Sequence, residues 1–281
     1  MSARVAVIQF PGVNCEAETV RALERVGLAA EVFRATRPPA ELERHDAFVL
    51  PGGFCYQDRV RAGALAAQHP IVEVLAERAE RGAPVLGICN GAQVLAEAGL
   101  VPGGEGREPG QVEVALARNR MPGRTGYYAR WIEVRVEPSS CVFTAELEPG
   151  TRLALPIAHG EGRFTTRAAG GIAALVRAGR APLRYADAAG APATEFPENP
   201  NGSEEAVAGL CNARGNVLAL MPHPERALDL GALARGVGGA WGARRDVALE
   251  RAGADDDAPG PGLAIFAGLA RALGVPGRSA R

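Results

Sequence analysis

The sequence predicts an α/β fold with a mostly parallel central sheet, helices on both faces and antiparallel additions. Two observations lead to this. Over the first 100 residues, short apolar runs alternate with stretches of helical period, divided by glycine or proline, as parallel strands joined by crossover helices require. Beyond residue 130 the pattern changes to short β-like runs separated by turn residues, as antiparallel strands added to such a sheet would give. The 281 residues suffice for one sizeable core, and a single domain is expected over 1–281.

In chain order, residues 5–10 read as a short buried strand, and 16–26 carry apolar residues at helical spacing until Gly27 stops the run. Residues 30–34 form a second strand, and 45–50 a third that ends at Pro51-Gly52-Gly53. A helix over 71–80 leads to the apolar run 84–88, and another helix follows at 92–98. In the second half, 131–136, 152–157, 171–176, 183–186, 206–211 and 217–221 are β-like. The Gly/Pro-rich stretches 102–110 and 192–202 read as loops. From about residue 227 to 262 the chain is rich in Ala, Gly and Arg, with the acidic run Asp255-Asp256-Asp257 and then Pro259-Gly260-Pro261. This composition predicts a partly flexible insertion before a final helix at 263–273.

Composition excludes several function classes. With 47% hydrophobic and 22% charged residues the chain is an ordinary globular one. A net charge of -1 gives no electrostatic basis for binding nucleic acid or an anionic membrane surface. No apolar run approaches the roughly 20 residues that span a bilayer, and the N-terminus lacks a signal-peptide profile, so a cytoplasmic location is expected. The five cysteines are odd in number and lack C-x-x-C pairs, which predicts reduced thiols, no disulfide framework and no metal site. All 31 basic residues are arginine, which excludes a Schiff-base lysine and a Walker A phosphate loop.

Three loops carry chemistry. Gly87-Ile88-Cys89-Asn90-Gly91 stands where a buried strand meets a helix, the setting of a nucleophile elbow with cysteine in the serine position. Unpaired N–H groups and the dipole at the helix N-terminus favour a thiolate there. Taken alone, the same residue also fits a buried structural cysteine. Met221-Pro222-His223-Pro224-Glu225 follows another strand, and in an extended segment His223 and Glu225 lie on the same side, so the carboxylate can orient the imidazole. Pro51-Gly52-Gly53-Phe54 follows a third strand, and its glycines let backbone N–H groups approach a ligand, as an oxyanion hole needs. In a parallel sheet all three loops emerge at the carboxyl ends of strands, where such folds place their sites.

At these residues the chain resembles the class I (triad) glutamine amidotransferases, whose Gly-x-Cys-x-Gly-x-Gln and later His-x-Glu are matched by residues 87–93 and 223–225. Within that class, 51–63, 87–93, 159–164, 199–203 and 221–226 look like the glutaminase subunits of phosphoribosylformylglycinamidine synthases of purine biosynthesis. The resemblance runs from about residue 5 to 226 and returns at the last helix. It implies a flavodoxin-like three-layer fold and hydrolysis of L-glutamine to glutamate and ammonia. Cys89 would be the nucleophile, His223 the base and then acid, and Glu225 its orienter, with the oxyanion held by the Gly52-Gly53 loop through the Gly53 N–H and by the Asn90 N–H. Gln93, one helical turn beyond Cys89, is a candidate substrate ligand, with an ordinary helix-surface glutamine as the alternative. His159 and Glu161 are assigned to the substrate rim or a partner contact. Cys15, Cys141 and Cys211 read as packing residues and Cys55 as a small loop residue.

The resemblance also implies no cofactor in this chain. ATP and Mg belong on the synthetase partner, which consumes the ammonia to convert formylglycinamide ribonucleotide to the amidine, with a small third subunit in the complex. Two positions depart from the family: Gln57 stands where glycine is usual and Cys55 where serine is common. Competing readings are an amidotransferase of another specificity, a Cys-His hydrolase of the related heat-shock-protease superfamily, and a silent regulatory subunit. His223-Pro224-Glu225 after a strand favours the amidotransferase over the hydrolase, and the intact triad argues against the silent subunit.

Overall fold

The computed structural model describes residues 2–103, 112–252 and 258–276. The first half runs β1 (Arg4–Gln9), α1 (Glu16–Arg25), β2 (Ala29–Arg34), β3 (Ala47–Leu50), α2 (Pro70–Glu80), β4 (Val85–Ile88) and α3 (Asn90–Glu97). The second half runs β5 (Val114–Ala117), β6 (Arg120–Met121), β7 (Arg124–Thr125), β8 (Tyr128–Val136), β9 (Arg152–His159), β10 (Arg163–Thr166), α4 (Gly171–Arg177), β11 (Leu183–Tyr185), β12 (Val207–Cys211), β13 (Val217–Leu220), α5 (Gly239–Ala252) and α6 (Leu263–Ala272).

Among the described residues the central sheet has nine strands in the order β2-β1-β3-β4-β13-β12-β11-β8-β9. The first five are parallel, and every pairing from β13 outward to β9 is antiparallel. This is the predicted parallel core with antiparallel additions, and its helices make it a three-layer α/β fold. The parallel half has the flavodoxin-like order, which leaves a crevice beyond the carboxyl ends of its strands. Strands β3, β4 and β13 are buried at every residue because both faces are covered, which explains their unbroken apolar sequences. Helix α3 is buried at all eight positions, packed against β3, β4 and β13 of the central sheet and against β5. Helices α1 and α6 pack together elsewhere on the sheet.

Several expectations are corrected. Residues 171–176, read as β-like, form helix α4. Its apolar residues Ile172, Leu175 and Val176 stand at i, i+3 and i+4, and only Ile172 is fully buried, so the helical period outweighs the β-branched composition. Strands β5 and β10 pair antiparallel in a small separate sheet, and β6 and β7 form a hairpin. None of these was visible in sequence, because polar and small residues interrupt their alternation. The loop at 102–110 lies largely outside the described residues.

In the segment expected to be an insertion, residues 239–252 form helix α5, and Trp241 donates from Nε1 to the Arg152 carbonyl at 2.8 Å. The acidic run lies outside the described residues. The chain then returns close to the end of β13: Gly260 N–H donates to Leu228 O at 2.7 Å and Gly262 N–H to Ala227 O at 2.8 Å. A Cβ on Gly262 would stand 2.0 Å from the Pro224 carbonyl oxygen, so this glycine is required by backbone contact. Among the described residues no helix is long and apolar enough to cross a membrane.

The Gly262 contact yields the first test. Gly262→Ala should destabilise the protein by about 2 kcal/mol through overpacking against backbone, a fall of roughly 4–8 °C in thermal midpoint for a chain of this size. An unchanged midpoint would show that this returning segment is not tightly seated.

Candidate active site

Cys89 sits between β4 and α3 with φ 49 and ψ -103, a conformation that L-residues avoid and that the surrounding structure must enforce. The enforcement is visible in its neighbours. A Cβ on Gly91 would meet the Leu50 carbonyl oxygen at 1.9 Å, and one on Gly87 would meet the Gly91 carbonyl oxygen at 2.6 Å. Both glycines are therefore needed for α3 to start against β3 and β4, and that start projects the thiol from the helix N-terminus. Cys89 N–H donates to Leu220 O at 2.8 Å, tying the turn to β13, and the sulfur lies 3.7 Å from the Ala158 carbonyl oxygen. Cys55, by contrast, is buried in the loop beyond Gly53, and burial pushes its thiol up to about 12.

His223 stands three residues past the end of β13 and is buried, as is Glu225. The imidazole Nδ1 is 2.6 Å from Glu225 Oε1, so Nδ1 carries a proton and Nε2 is the nitrogen left for chemistry. Burial alone would lower the proton affinity of this imidazole. The Glu225 carboxylate, with the sulfurs of Cys89 and Cys15, outweighs that and holds its pKa well above the usual histidine range. The imidazolium is therefore the favoured state beside the thiol.

The Gly52-Gly53 loop closes the other side. A Cβ on Gly52 would stand 2.6 Å from His223 Cε1, so the bare Cα is what admits the ring. Gly53 has φ 152, and its own Cβ would stand 2.6 Å from Val13 Cα. Phe54 N–H donates to Gly12 O at 2.9 Å and Asn14 N–H to Gly52 O at 3.3 Å, which pins the loop against the segment after β1. Beyond it, Tyr56, Gln57 and Asp58 all have positive φ. Gln57, at φ 59 and ψ 24, thus occupies a left-handed position that glycine adopts without steric strain, which gives the sequence departure at this residue a physical meaning.

The side chain of Asn90 braces that loop: Oδ1 accepts from Cys55 N–H at 2.8 Å and Nδ2 donates to Asp58 Oδ1 at 3.0 Å. Gln93 is buried, not on a helix surface. Its Oε1 accepts from Asn90 Nδ2 at 2.8 Å and its Nε2 donates to Glu161 O at 2.6 Å. Those bonds make Gln93 a tie between α3 and the segment after β9. Glu161 is partly exposed on the rim, where Oε2 accepts from Ala62 N–H at 3.3 Å.

His159 lies beneath the rim, only 3% exposed, which corrects its expected place on the rim. Asn119 Nδ2 donates to His159 O at 2.8 Å and to Gly126 O at 3.0 Å, so Asn119 Oδ1 must be the acceptor for Gly162 N–H and for His159 Nδ1, 3.2 Å away. Burial, aided by the charge of His223, lowers the pKa of His159 to about 3 and keeps it neutral. Tyr185 and Asn201 complete this layer: Asn201 Nδ2 donates to Gly162 O at 2.8 Å and to Tyr185 Oη at 3.1 Å.

Sequence reasoning read Cys15 as a packing residue, gave Arg226 and Asn201 no role of their own, and passed over Asn119 and Tyr185. The available signal for Cys15 was its position after β1, a fourth loop at the same edge of the sheet. Arg226 Nη2 donates to Cys15 Sγ at 3.0 Å. Asn119 and Tyr185 belong to the antiparallel half, whose folding back over the site no local pattern announces.

A strand-to-helix cysteine, a carboxylate-held histidine and a glycine loop at one sheet edge are the arrangement expected of the triad amidotransferases. Residues 2–241 match the family of the CobB/CobQ-like glutamine amidotransferase domain, and the chain belongs to this family. Within it, the chain is similar to subunit PurQ of phosphoribosylformylglycinamidine synthase. It is 46% identical to that of Methanothrix thermoacetophila over 231 residues, 80% of this chain and 86% of the relative. It is also 46% identical to that of Thermomicrobium roseum over 243 residues, 86% of this chain and 92% of the relative. The solved structure of PurLQS from Thermotoga maritima superposes with a TM-score of 0.69 at 30% identity, over 97% of this chain and 100% of that one.

Two measurements test this geometry. An αL residue other than glycine costs roughly 1–2 kcal/mol in the folded state, and glycine costs about 0.4–1 kcal/mol through the unfolded state, so Gln57→Gly should stabilise by about 0.5–1 kcal/mol. A lowered thermal midpoint would refute the strain. His159, with its folded pKa depressed, contributes stability that is fully present above the unfolded value of about 6.5 and is lost as pH falls toward 3. Urea unfolding should lose about 1.4 kcal/mol per pH unit on this account between pH 6 and 4, and His159→Gln should flatten that slope by one proton. An unaltered slope would place His159 in contact with solvent.

Proposed function

We propose that this glutamine amidotransferase chain cleaves L-glutamine with Cys89, His223 and Glu225 and passes the ammonia to a synthetase subunit. The observation that carries the reading is the buried 2.6 Å contact of His223 Nδ1 with Glu225 Oε1, beside a cysteine strained onto a helix N-terminus. The thiolate of Cys89 adds to the carboxamide carbon, and the resulting oxyanion is held by the N–H groups of Gly53 and Asn90. Imidazolium Nε2 then protonates the departing nitrogen, releasing ammonia and leaving a γ-glutamyl thioester. A water, deprotonated by the now neutral His223, attacks the thioester, and glutamate leaves as Cys89 recovers its thiolate. The raised proton affinity of His223 suits the acid step, since the proton is present when the amine departs.

The partner and pathway follow from the relatives, which are subunits of phosphoribosylformylglycinamidine synthase and of a PurLQS assembly. The synthetase holds ATP and Mg, a small third subunit completes the complex, and the reaction serves cytoplasmic purine synthesis from formylglycinamide ribonucleotide. Residues 1–281 act as one amidotransferase domain, with the 227–262 insertion peripheral to the chemistry.

Cys89→Ser should abolish ammonia release from glutamine while leaving the fold intact, because a serine alcohol is too weakly acidic for His223 to ionise. Glu225→Gln should lower kcat by about a hundredfold or more with little change in KM, since the carboxylate acts mainly on the charged imidazolium. Substantial turnover by the serine variant would sink the assignment of the nucleophile. A separate assay concerns coupling: adding the synthetase subunit with ATP and formylglycinamide ribonucleotide should raise glutaminase turnover, by about a hundredfold if one oxyanion donor is completed by the partner. Full turnover by the isolated chain would refute partner gating.

A further inference from the structure

We propose that Cys15 is a positioning residue for His223, seated by Arg226, so that the site contains a second thiol that orients the histidine without acting as a nucleophile. The proposal rests on the assignment of His223 as the acid and base. Cys15 immediately precedes α1 with a side chain that makes no capping bond, is 1% exposed, and comes from a different element than any other group in the site. Its Sγ, a ring nitrogen of His223 and a carboxylate oxygen of Glu225 all lie within 4.8 Å of one another. The bare Cα of Gly52 faces both: a Cβ there would be 2.6 Å from His223 Cε1 and 3.2 Å from Cys15 Sγ. The imidazole therefore stands in a slot walled by a carboxylate, a glycine and a sulfur.

The sulfur is itself held. Arg226 Nη2 donates to it at 3.0 Å, and the thiol can donate to Asn14 Oδ1 at 3.3 Å. Cys15 N–H donates to Gly52 O at 3.2 Å, and Arg226 N–H donates to His223 O at 3.2 Å. Two loops, one after β1 and one after β13, are thus joined through a single sulfur at the ring of His223. A packing residue would not do this: an alanine would remove the sulfur to which the exposed Arg226 donates and leave the imidazolium without a polarisable neighbour. A second nucleophile is equally excluded, because the sulfur is enclosed and its contacts are internal.

The donor set of Cys15, His223 and Glu225 also has the composition of a metal site. A cation there would have to displace the Glu225 contact on Nδ1 and the Arg226 contact on the sulfur, and would stand against a guanidinium. The observed hydrogen bonds favour positioning over metal binding.

The test uses the full chain and the variants Cys15→Ala, Cys15→Ser, Arg226→Met and Cys89→Ser. It measures kcat and KM for glutamine, the rate of Cys89 alkylation by iodoacetamide read on the Cys89 peptide by mass spectrometry, and the thermal midpoint. Losing one hydrogen-bonding neighbour of a charged group should lower kcat about tenfold in Cys15→Ala, with KM within about twofold. Alkylation of Cys89 at pH 7 should slow by a similar factor, because a less firmly held imidazolium stabilises the thiolate less. Cys15→Ser, which keeps an acceptor for Arg226, should recover most of both rates, and Arg226→Met should resemble Cys15→Ala. Wild-type kcat and alkylation in Cys15→Ala would overturn the proposal. So would equal losses in the alanine and serine variants that track the thermal midpoint, since that pattern marks a purely structural role. If Cys15→Ala does not fold, the serine and Arg226 variants carry the same comparison. Activity in Cys89→Ser would instead bring down the assignment of the nucleophile, a failure distinct from that of Cys15.

Discussion

The approach of α3 to β3 is the constraint on which the site depends. The Leu50 carbonyl oxygen occupies the space a side chain at residue 91 would need, so the helix begins within backbone contact of the sheet. Because the chain must leave β4 and enter that helix without room to drift, Cys89 takes a positive φ and its sulfur is delivered to the crevice. The strain at Cys89 is sustained by neighbours buried on all sides, where a local relaxation would have to move the core.

Around that thiol the site manages one positive charge. His223 is buried, which by itself would keep it neutral, yet a carboxylate and two sulfurs surround it and the charged form prevails. His159, also buried but hydrogen-bonded through its ring only to a neutral amide, goes the opposite way and stays uncharged. Two histidines in one crevice thus differ in charge because their partners differ. The arrangement avoids placing two imidazolium groups together, which a low-dielectric site would penalise heavily.

The antiparallel strands supply the scaffold that the parallel half lacks. Asn119, Asn201 and Tyr185, all buried, hold the 159–162 segment over the crevice through Gly162 and His159. Gln93 reaches the same segment from α3, and Asn90 reaches the loop after Gly53. Amides suit this work because each offers donors and acceptors without a charge to desolvate. The antiparallel strands and their loops are in this sense a set of braces, and their residues govern the shape of a crevice whose candidate residues stand in the loops after β3, β4 and β13.

The sequence alone determined the parallel half nearly strand by strand, because buried parallel strands are short continuous apolar runs and glycines mark their ends. It also marked the three loops that the structure brings to one sheet edge, since the turn at Cys89 needs Gly87 and Gly91, and Glu225 stands two residues past His223 on the same side of the chain. It misread residues 171–176, where a seven-residue amphipathic helix and a short β run share the same composition. It passed over β5, β10 and the β6–β7 hairpin, whose pairing partners lie far along the chain or carry no alternation. Only the tertiary structure decided that Gln93 faces inward, that His159 is buried and neutral, and that Cys15 and Arg226 meet at His223. Each of those facts is a contact between residues far apart in sequence, and the packing that brings them together is a property of the whole chain, which no local periodicity or spacing encodes.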